Sequence, residues 1–148
     1  MIVEGQVQGK FKGQSLKKGR TDQFDVWEVY HSMESPRDAA TGRASGRRVH
    51  NALVVAGETV GGTAQLYTAI FTNETLKKVK VDFYRTDKNG KQTIYYTIEL
   101  KNAGLSELEN LQDETGRPNF RAHFTYEEIT LTWADGNLTA TDTWHGTT

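Results

Sequence analysis

The sequence predicts an all-β domain with one short α-helix, built as a compact antiparallel β-barrel or two-sheet sandwich. Three observations favour this class. Short runs of alternating apolar and polar residues recur along the chain, turn signals containing Asn or Gly separate several of them, and only one segment has helical spacing. The length of 148 residues fits a single domain spanning 1–148, large enough to bury roughly two-thirds of the surface that its unfolded chain exposes.

Three strands are predicted in the first part of the chain. The run from Val3 to Phe11 alternates in polarity, and the glycines within and after it indicate bending or close backbone approach. The run from Phe24 to Met33 is rich in aromatic and β-branched residues, which favour strands. Val49 to Ala56 is the third run of this kind.

One helix is predicted over residues 64–71, because its apolar residues recur at three- and four-residue spacing. Thr63 is expected to be its N-cap, and Asn73 stands where a left-handed C-terminal residue is expected. Since so short a helix is not stable alone, we expect it to pack on a sheet or plug one end of a barrel.

The clearest strand is Lys77 to Arg85, in which polar and apolar residues alternate strictly over most of the run. The dipeptide Asn89-Gly90 then predicts a tight hairpin into a strand from Gln92 to Leu100. A further strand is predicted around Leu105 to Leu111.

The carboxy-terminal strands are separated by one phase change and one turn. Alternation that starts at Phe120 shifts by one residue at Glu127-Glu128, which predicts a β-bulge. Asp135-Gly136-Asn137 predicts the last hairpin, and Leu138 to Trp144 the last strand.

Composition excludes several classes of protein. The chain has no cysteine, which excludes disulfides and thiolate metal sites and suits a reducing cytosol. No secretory signal is visible at the amino terminus, and no apolar stretch approaches the about 20 residues that span a bilayer. The net charge of −1, from 18 Lys and Arg against 19 Asp and Glu, argues against a general nucleic-acid binder.

Charge is nevertheless uneven along the chain. Residues 1–50 hold nine Lys and Arg against six Asp and Glu, whereas residues 99–128 hold three against seven. If these two segments lie on opposite faces, copies of the chain would attract one another head to tail.

The segment from Ser35 to Arg47 is predicted to be an extended loop between two strands. It has no large apolar residue, three arginines and two glycines. Loops longer than about 12–15 residues are uncommon inside compact domains and usually carry function. Its arginines suit contact with another protein's backbone or carboxylates.

Candidate enzymatic and metal sites are weak. The four histidines are scattered, and His50 is expected to be a hydrogen-bonded structural residue. Asp87 could open a calcium loop, but Ile98 stands where that loop needs a carboxylate. Glu107 and Glu109 would project from one strand face about 6.5 Å apart, a possible glycosidase spacing that nothing else supports. No catalytic residue, cofactor site or metal site is predicted.

A series of motifs spread over nearly the whole chain resembles the Hcp family, the haemolysin co-regulated proteins that form the inner tube of bacterial type VI secretion systems. The first group is His31-Ser32-Met33-Glu34-Ser35-Pro36-Arg37-Asp38, Thr41-Gly42 and Gly46-Arg47-Arg48-Val49-His50. Five more follow in order: Leu66-Tyr67-Thr68-Ala69, Val81-Asp82-Phe83-Tyr84-Arg85, Tyr95-Tyr96-Thr97-Ile98-Glu99-Leu100, Ile129-Thr130-Leu131-Thr132-Trp133, and Asp135-Gly136-Asn137 with Asp142-Thr143-Trp144. The chain departs from the family at 57–62, which lacks the usual Lys or Asp and the proline before the helix.

The resemblance implies a non-enzymatic tube subunit. Six copies would form a ring, rings would stack into a tube with effector proteins in its lumen, and a contractile sheath and a spike protein would be its partners. No nucleic acid and no membrane insertion is expected. The tube would assemble in the bacterial cytoplasm and be secreted without a signal peptide. The ring-stacking interface is expected at Pro36, Arg37, Asp38, Thr41, Gly42, Arg43, Gly46, Arg47, Arg48 and His50, with the acidic segment 99–128 receiving the arginines.

Two alternatives stay open. A tail tube protein of a related phage-like contractile particle would share the same ring logic. A small ligand-binding barrel or hydrolase would instead be a monomer with an internal pocket.

Overall fold

The structure, a computed structural model, describes residues 1–13, 19–20 and 22–145. It has one helix, α1 (Gly61–Thr72), within this part of the chain. The strands are β1 (Ile2–Gly5), β2 (Gly9–Lys10), β3 (Val26–Tyr30), β4 (Met33–Glu34), β5 (Val49–His50), β6 (Leu53–Glu58), β7 (Leu76–Thr86), β8 (Gln92–Gln112), β9 (Pro118–Thr125), β10 (Glu128–Trp133) and β11 (Leu138–Thr143).

The strands pair antiparallel in the order β2-β1-β7-β8-β9-β6-β3, with β10 between β8 and β11. The 21-residue strand β8 belongs to two sheets. Its first half pairs with β7 and β10, and its second half, from Gly104 onward, pairs with β9. Asn102, with φ 48°, lies between the two halves. The described residues therefore form a sandwich-like β fold without a closed barrel, which confirms the sandwich form of the prediction.

The core lies between the two sheets and the helix. Alternate residues of β9 are buried because successive side chains of a strand point to opposite faces. Leu66 and Ala69 of α1 close one side of this core. Its largest fully buried side chains are Phe11, Phe24, Phe120, Phe124, Leu53, Leu66, Leu76, Leu100, Ile129, Val3, Val55 and Val79.

Both predicted tight turns are confirmed. At the first, Gly90 adopts φ 79°, and the Asp87 carboxylate accepts the N–H groups of Asn89 and Lys91 at 2.8 and 2.9 Å. At the second, Gly136 and Asn137 have φ 81° and 51°. Local residue chemistry alone fixes both positions, because few residue types tolerate a positive φ.

The helix ends as predicted but begins elsewhere. Asn73 is the left-handed C-terminal residue, with φ 53° and ψ 39°. The prediction of Thr63 as N-cap is wrong, since Val60 is the N-cap and Thr63 lies three residues later. The Thr63 hydroxyl instead accepts the Val60 N–H at 3.0 Å. Thr63 therefore satisfies a backbone donor just outside the first turn, as a capping-box residue does.

The prediction of one strand from Val3 to Phe11 is wrong, because the chain turns back at residues 6–8 and β1 pairs with β2. The buried carboxylate of Glu74 holds this turn by accepting the N–H groups of Val7 and Gln8 at 3.0 and 2.9 Å. A Cβ at Gly5 would lie 2.0 Å from a Glu74 oxygen, so a side chain at this position would displace the carboxylate that holds the turn.

Three further boundaries differ from the prediction. The run from Phe24 to Met33 breaks between β3 and β4, and the run from Val49 to Ala56 breaks between β5 and β6. The two strands predicted within β8 are one strand. In each case the pairing partner of the strand decides the boundary, and the polarity of the sequence does not reveal that partner.

The predicted β-bulge at Glu127-Glu128 is wrong. β9 ends at Thr125 in one sheet, and β10 begins at Glu128 beside the first half of β8. Between them the Glu127 N–H lies 3.1 Å from the Lys101 carbonyl oxygen and 3.2 Å from that of Asn102. The phase change therefore marks a crossing of the chain between sheets.

Candidate assembly interface

The segment predicted to be an extended loop forms a β-hairpin. We call residues 35–47 the arm. At its base Met33 pairs with His50, and farther out Arg37 and Ala44 form an isolated antiparallel bridge. The Ser45 N–H also donates to the Pro36 carbonyl at 2.9 Å. Backbone hydrogen bonds therefore hold the arm along most of its length.

The tip of the arm is closed by Asp38. One carboxylate oxygen of Asp38 accepts the N–H groups of Ala40 and Thr41 at 2.9 and 2.8 Å and the Thr41 hydroxyl at 3.1 Å. Gly42 follows with φ 71°, a conformation that suits glycine. The hydrogen bonds, led by that from the Thr41 backbone, lower the pKa of Asp38. The tip is thus a preformed turn.

The arm presents its arginines to solvent. Arg37, Arg43 and Arg47 are all exposed, and none of the three forms an ion pair with another residue of the described ranges. A guanidinium offers five donors in a fixed fork that matches a carboxylate. The arm can therefore bind carboxylates of another molecule without first breaking an ion pair to the described residues.

Two residues of the expected stacking interface lie instead at the base of the arm. The Arg48 guanidinium donates two hydrogen bonds to the Asp142 carboxylate. His50 is buried, with Nε2 at 2.8 Å from an Asp142 oxygen and Nδ1 at 2.8 Å from the Tyr126 hydroxyl. The other eight residues of that expected set lie on the exposed arm. The expectation that His50 is a hydrogen-bonded structural residue is confirmed.

Tyr126 and Trp144 complete what we call the anchor network, the group His31, Arg48, His50, Tyr126, Asp142 and Trp144. His31 Nε2 is also 2.8 Å from the Tyr126 hydroxyl. The Trp144 ring stacks on His50 with centroids 5.8 Å apart and meets the Tyr126 ring edge-on at 4.9 Å. The arm is therefore fixed to β11 and to the end of β9.

The electrostatics of the anchor network follow from these contacts. The hydrogen bond from Arg48 holds the pKa of Asp142 well below its usual range. Burial, with a smaller effect of the Asp142 charge, raises the pKa of Tyr126 to about 12. Burial, and then the proximity of His50, lowers the pKa of His31. At neutral pH the network accordingly has an ionised Asp142, a protonated Tyr126 hydroxyl and a neutral His31.

Sequence reasoning assigned no role to Asp142, Tyr126 or Trp144. Arg48 and Asp142 are 94 positions apart, so no spacing rule links them. The available signal was the motif Asp142-Thr143-Trp144, which carries part of the family resemblance.

Glu107 and Glu109, expected on one strand face, are joined there by His123. Nε2 of His123 is 3.1 Å from a Glu109 oxygen and 3.6 Å from a Glu107 oxygen. Arg121 lies 3.5 Å from both Glu109 and Glu28. The ligand atoms of the two glutamates and the histidine all lie within 4.8 Å of one another. Ion pairs and hydrogen bonds within the sheet account for this grouping.

An open cleft of about 500 Å³ lies between β3 and β7, lined by Arg20, Asp25, Trp27, Asp82 and other residues. Asp82 accepts the Thr97 hydroxyl at 3.1 Å. Arg20 lies 3.3 Å above the Tyr84 ring centroid. Asp82 and Arg20 are thus engaged with neighbouring residues. In the part of the chain that the structure covers, no helix is long and apolar enough to cross a membrane.

Comparison with known proteins identifies the family. The family model for Hcp, described as a type VI secretion system effector, matches residues 2–133. A curated relative, the major exported protein of Pseudomonas aeruginosa, is 31% identical over 97% of this chain and 88% of its own length.

Solved structures agree with this match. The secreted protein Hcp3 from Pseudomonas aeruginosa has a TM-score of 0.81 and 26% identity, over 97% of this chain and 96% of its own. Hcp1 from E. coli has the same fold, with a TM-score of 0.89 and 24% identity over 97% and 95% of the two chains. The chain therefore belongs to the Hcp family, the tube subunits of type VI secretion systems.

Proposed function

We propose that this chain assembles into six-membered rings that stack, through the arm, into the inner tube of a type VI secretion apparatus. The tube forms in the bacterial cytoplasm, carries effector proteins in its lumen, and is driven out by a contractile sheath with a spike protein at its tip. Its action is mechanical and involves no catalysis. The observation that carries the proposal is the arm itself, an ordered hairpin that exposes three arginines with no ion-pair partner among the described residues.

Ring closure requires two different patches on each copy that fit one another, because a head-to-tail contact repeats around the ring. Among the described residues, two strands with one unpaired edge carry exposed apolar side chains. Trp27 and Tyr30 on β3 are each 59% exposed, and Leu138 on β11 is 68% exposed. Large apolar groups on an unpaired edge invite pairing with another chain. We assign the lateral contacts of the ring to these two edges.

The wall of the lumen is assigned to the outer face of β10 and β11. The inward side chains of β10, such as Ile129, belong to the core, so the alternate residues face away from it. These form cross-strand threonine pairs, Thr130 with Thr141 and Thr132 with Thr139. A hydroxyl-lined surface, on which the charge of Glu128 is paired with Lys101 at 3.3 Å, suits a channel that neither retains nor excludes cargo by its charge.

Light scattering coupled to size exclusion tests ring formation. Six copies of the 16.6 kDa chain give a particle of roughly 100 kDa, because a ring closed by rotation has a fixed number of copies. Trp27→Asp is expected to shift the mass to that of the single chain. Phe71→Asp is the matched control, since Phe71 is 77% exposed but lies on α1 and on neither of the two strand edges assigned to the ring contact. A wild-type protein that stays monomeric at high concentration would overturn the proposal.

A further inference from the structure

The register of the strands places the arm at one end of one sheet. β3 ends and β6 begins where the arm starts and finishes, and β9 reaches the same end through Tyr126. At the other end of these strands Val26 pairs with Gly57, and Glu58 pairs with Asn119. The eight residues of β9 separate the two ends by roughly 25 Å at about 3.3 Å per residue.

The far end of this sheet is acidic. We call Asp25, Glu58, Asp113 and Glu114 the acidic rim; all four are exposed. Arg117 in the same turn, and Arg20, which lines the cleft together with Asp25, supply positive charges. In the described parts of the chain, none of the four carboxylates has an ion-pair partner. Among the described residues, the rim thus carries carboxylates without an ion-pair partner, and the arm, at the opposite end, carries guanidinium groups without one.

We propose that the acidic rim of one copy is the surface that accepts the arm of a copy in the next ring. This inference rests on the proposed function. A contact between opposite ends of identical subunits repeats along an axis without closing, so it extends a stack. Opposite charges at the two ends also give the stack one polarity, because two like ends repel.

The structure reduces the number of residues in the acidic segment 99–128 that can accept the arm. Glu128 is already paired with Lys101 at 3.3 Å, and Glu109 is paired with His123 at 3.1 Å. Glu127 lies near Asn102, at the end of the sheet that carries the arm. Within this segment, the turn at 113–117 is the described part that combines acidic groups with a position at the far end of the sheet.

Within the rim, Asp113 and Glu114 have different roles. Asp113 holds the turn, since one of its oxygens accepts the Thr115 hydroxyl at 2.6 Å and the Arg117 N–H at 2.9 Å. Glu114 and Glu58 make no such contacts within the described ranges and are exposed to a partner. Two buried acceptors of the same edge, Thr59 Oγ1 and Asn119 Oδ1, have no hydrogen-bond partner among the described residues. The guanidinium groups of the arm offer five donors each to the exposed carboxylates of Glu58 and Glu114.

A charge exchange tests the inference. Arg43→Glu with Arg47→Glu, or Glu58→Arg with Glu114→Arg, should each leave rings intact and reduce the stacked fraction at least about tenfold. All four substitutions in one chain should restore stacks, because the charges are complementary again. Sedimentation velocity and electron micrographs separate rings from stacks. Glu127→Arg is the control, since Glu127 is an acidic residue at the end of the sheet that carries the arm. The stacked fraction of this variant should not fall.

A cross-link supplies an independent readout if a charge variant does not fold. The chain has no cysteine, so Ala40→Cys with Glu114→Cys introduces one defined pair. Under oxidation this variant should give disulfide-linked dimers and longer ladders, and either single variant should not. Two results would overturn this inference and leave the proposed function standing. The first is that the rim variants still form stacks. The second is that wild-type rings stack but neither the charge rescue nor the cross-link is observed. Absence of rings in the wild type would overturn the proposed function as well.

Discussion

The arm and its base, which together make up residues 33–50, differ in exposure, in apolar content and in the contacts that hold them. The arm is exposed, poor in apolar residues and held by its own backbone and the Asp38 turn. The residues at its base, Arg48 and His50, are joined to Asp142 and Tyr126, which lie far away in the sequence. One continuous motif thus contains a surface that is free to bind and a base that fixes where this surface points.

This contrast teaches why exposed arginines alone do not make an interface. Holding several long side chains against a partner costs conformational entropy, and a mobile arm would add the entropy of its backbone to that cost. Because the anchor network already fixes the arm to the body, binding does not cost the backbone entropy of the arm. We therefore expect substitutions in the network to change stability, and substitutions on the arm to change assembly.

The largest loss of stability is expected for Asp142→Ala. This change leaves the guanidinium of Arg48 and the buried ring of His50 without their shared acceptor. Hydrogen bonds to charged groups are worth about 1.5–3 kcal/mol each, so we expect a loss of roughly 2–3 kcal/mol after allowance for partial exposure. The midpoint and slope of urea unfolding measure it.

The control is Asp135→Ala, which removes the ion pair with Arg85. The two side chains of that pair are 69% and 48% exposed, so the loss should stay below about 0.5 kcal/mol. Equal losses for the two variants would contradict the anchoring role of Asp142.

A smaller loss is expected for Tyr126→Phe. The hydroxyl lies 2.8 Å from both His31 and His50 and 3.3 Å from the Asn51 carbonyl, and its removal leaves buried polar atoms without a partner. We expect a cost of about 1–2 kcal/mol by urea unfolding. Tyr30→Phe, which removes the hydroxyl of a tyrosine that is 59% exposed, should leave the stability of the chain unchanged. If Tyr126→Phe left the free energy of unfolding unchanged, the stability of the network would not depend on this hydroxyl.

The anchor network also predicts a pH dependence. Because burial and His50 lower the pKa of His31, folding disfavours the charged imidazole. The contribution of His31 is therefore fully present above the ordinary value of about 6.5 and is lost as the pH falls below it. Thermal unfolding between pH 8 and pH 5 measures this loss.

His31→Asn should flatten the part of the pH dependence that lies below pH 6.5. The amino group of Met1, whose pKa burial lowers to about 6, adds a loss of the same sign as the pH falls from 8 to 6. Since that contribution is common to both proteins, the difference between them isolates His31. Identical pH profiles would contradict the contribution of this histidine.

The smallest effect on stability is expected for the arm. Replacing Arg37, Arg43 and Arg47 together with Ala should change the free energy of unfolding by less than about 0.5 kcal/mol, since no described contact within the chain depends on them. Rings should form as before, but stacking should weaken. If the variant formed stacks of wild-type length, the arginines of the arm would not contribute to the axial contact. If the variant did not fold, the arm would instead have a structural role.

Features that depend on neighbouring residues could be predicted from the sequence. The turns at Asn89-Gly90 and Asp135-Gly136-Asn137 and the left-handed Asn73 were predictable because a positive φ restricts residue type locally. Polarity alternation likewise located β7 and β9, whose inner faces are buried.

Features that depend on distant residues could not be predicted. The continuity of β8 through Asn102, and the crossing between sheets at Tyr126, follow from pairings that only the assembled fold reveals. The link between Arg48 and Asp142 joins positions 94 residues apart. For that reason Arg48 was predicted to lie with the arginines of the stacking interface, whereas in the structure it belongs to the anchor network.

The central claim is that identical copies of this chain close around a hole. Electron micrographs of the purified, concentrated wild-type protein test it most directly. We expect annular particles with a central opening in end views, and short stacks of such annuli in side views at low salt. Fields that contain only solitary globules of the size of one 16.6 kDa chain, at every concentration, would contradict the account.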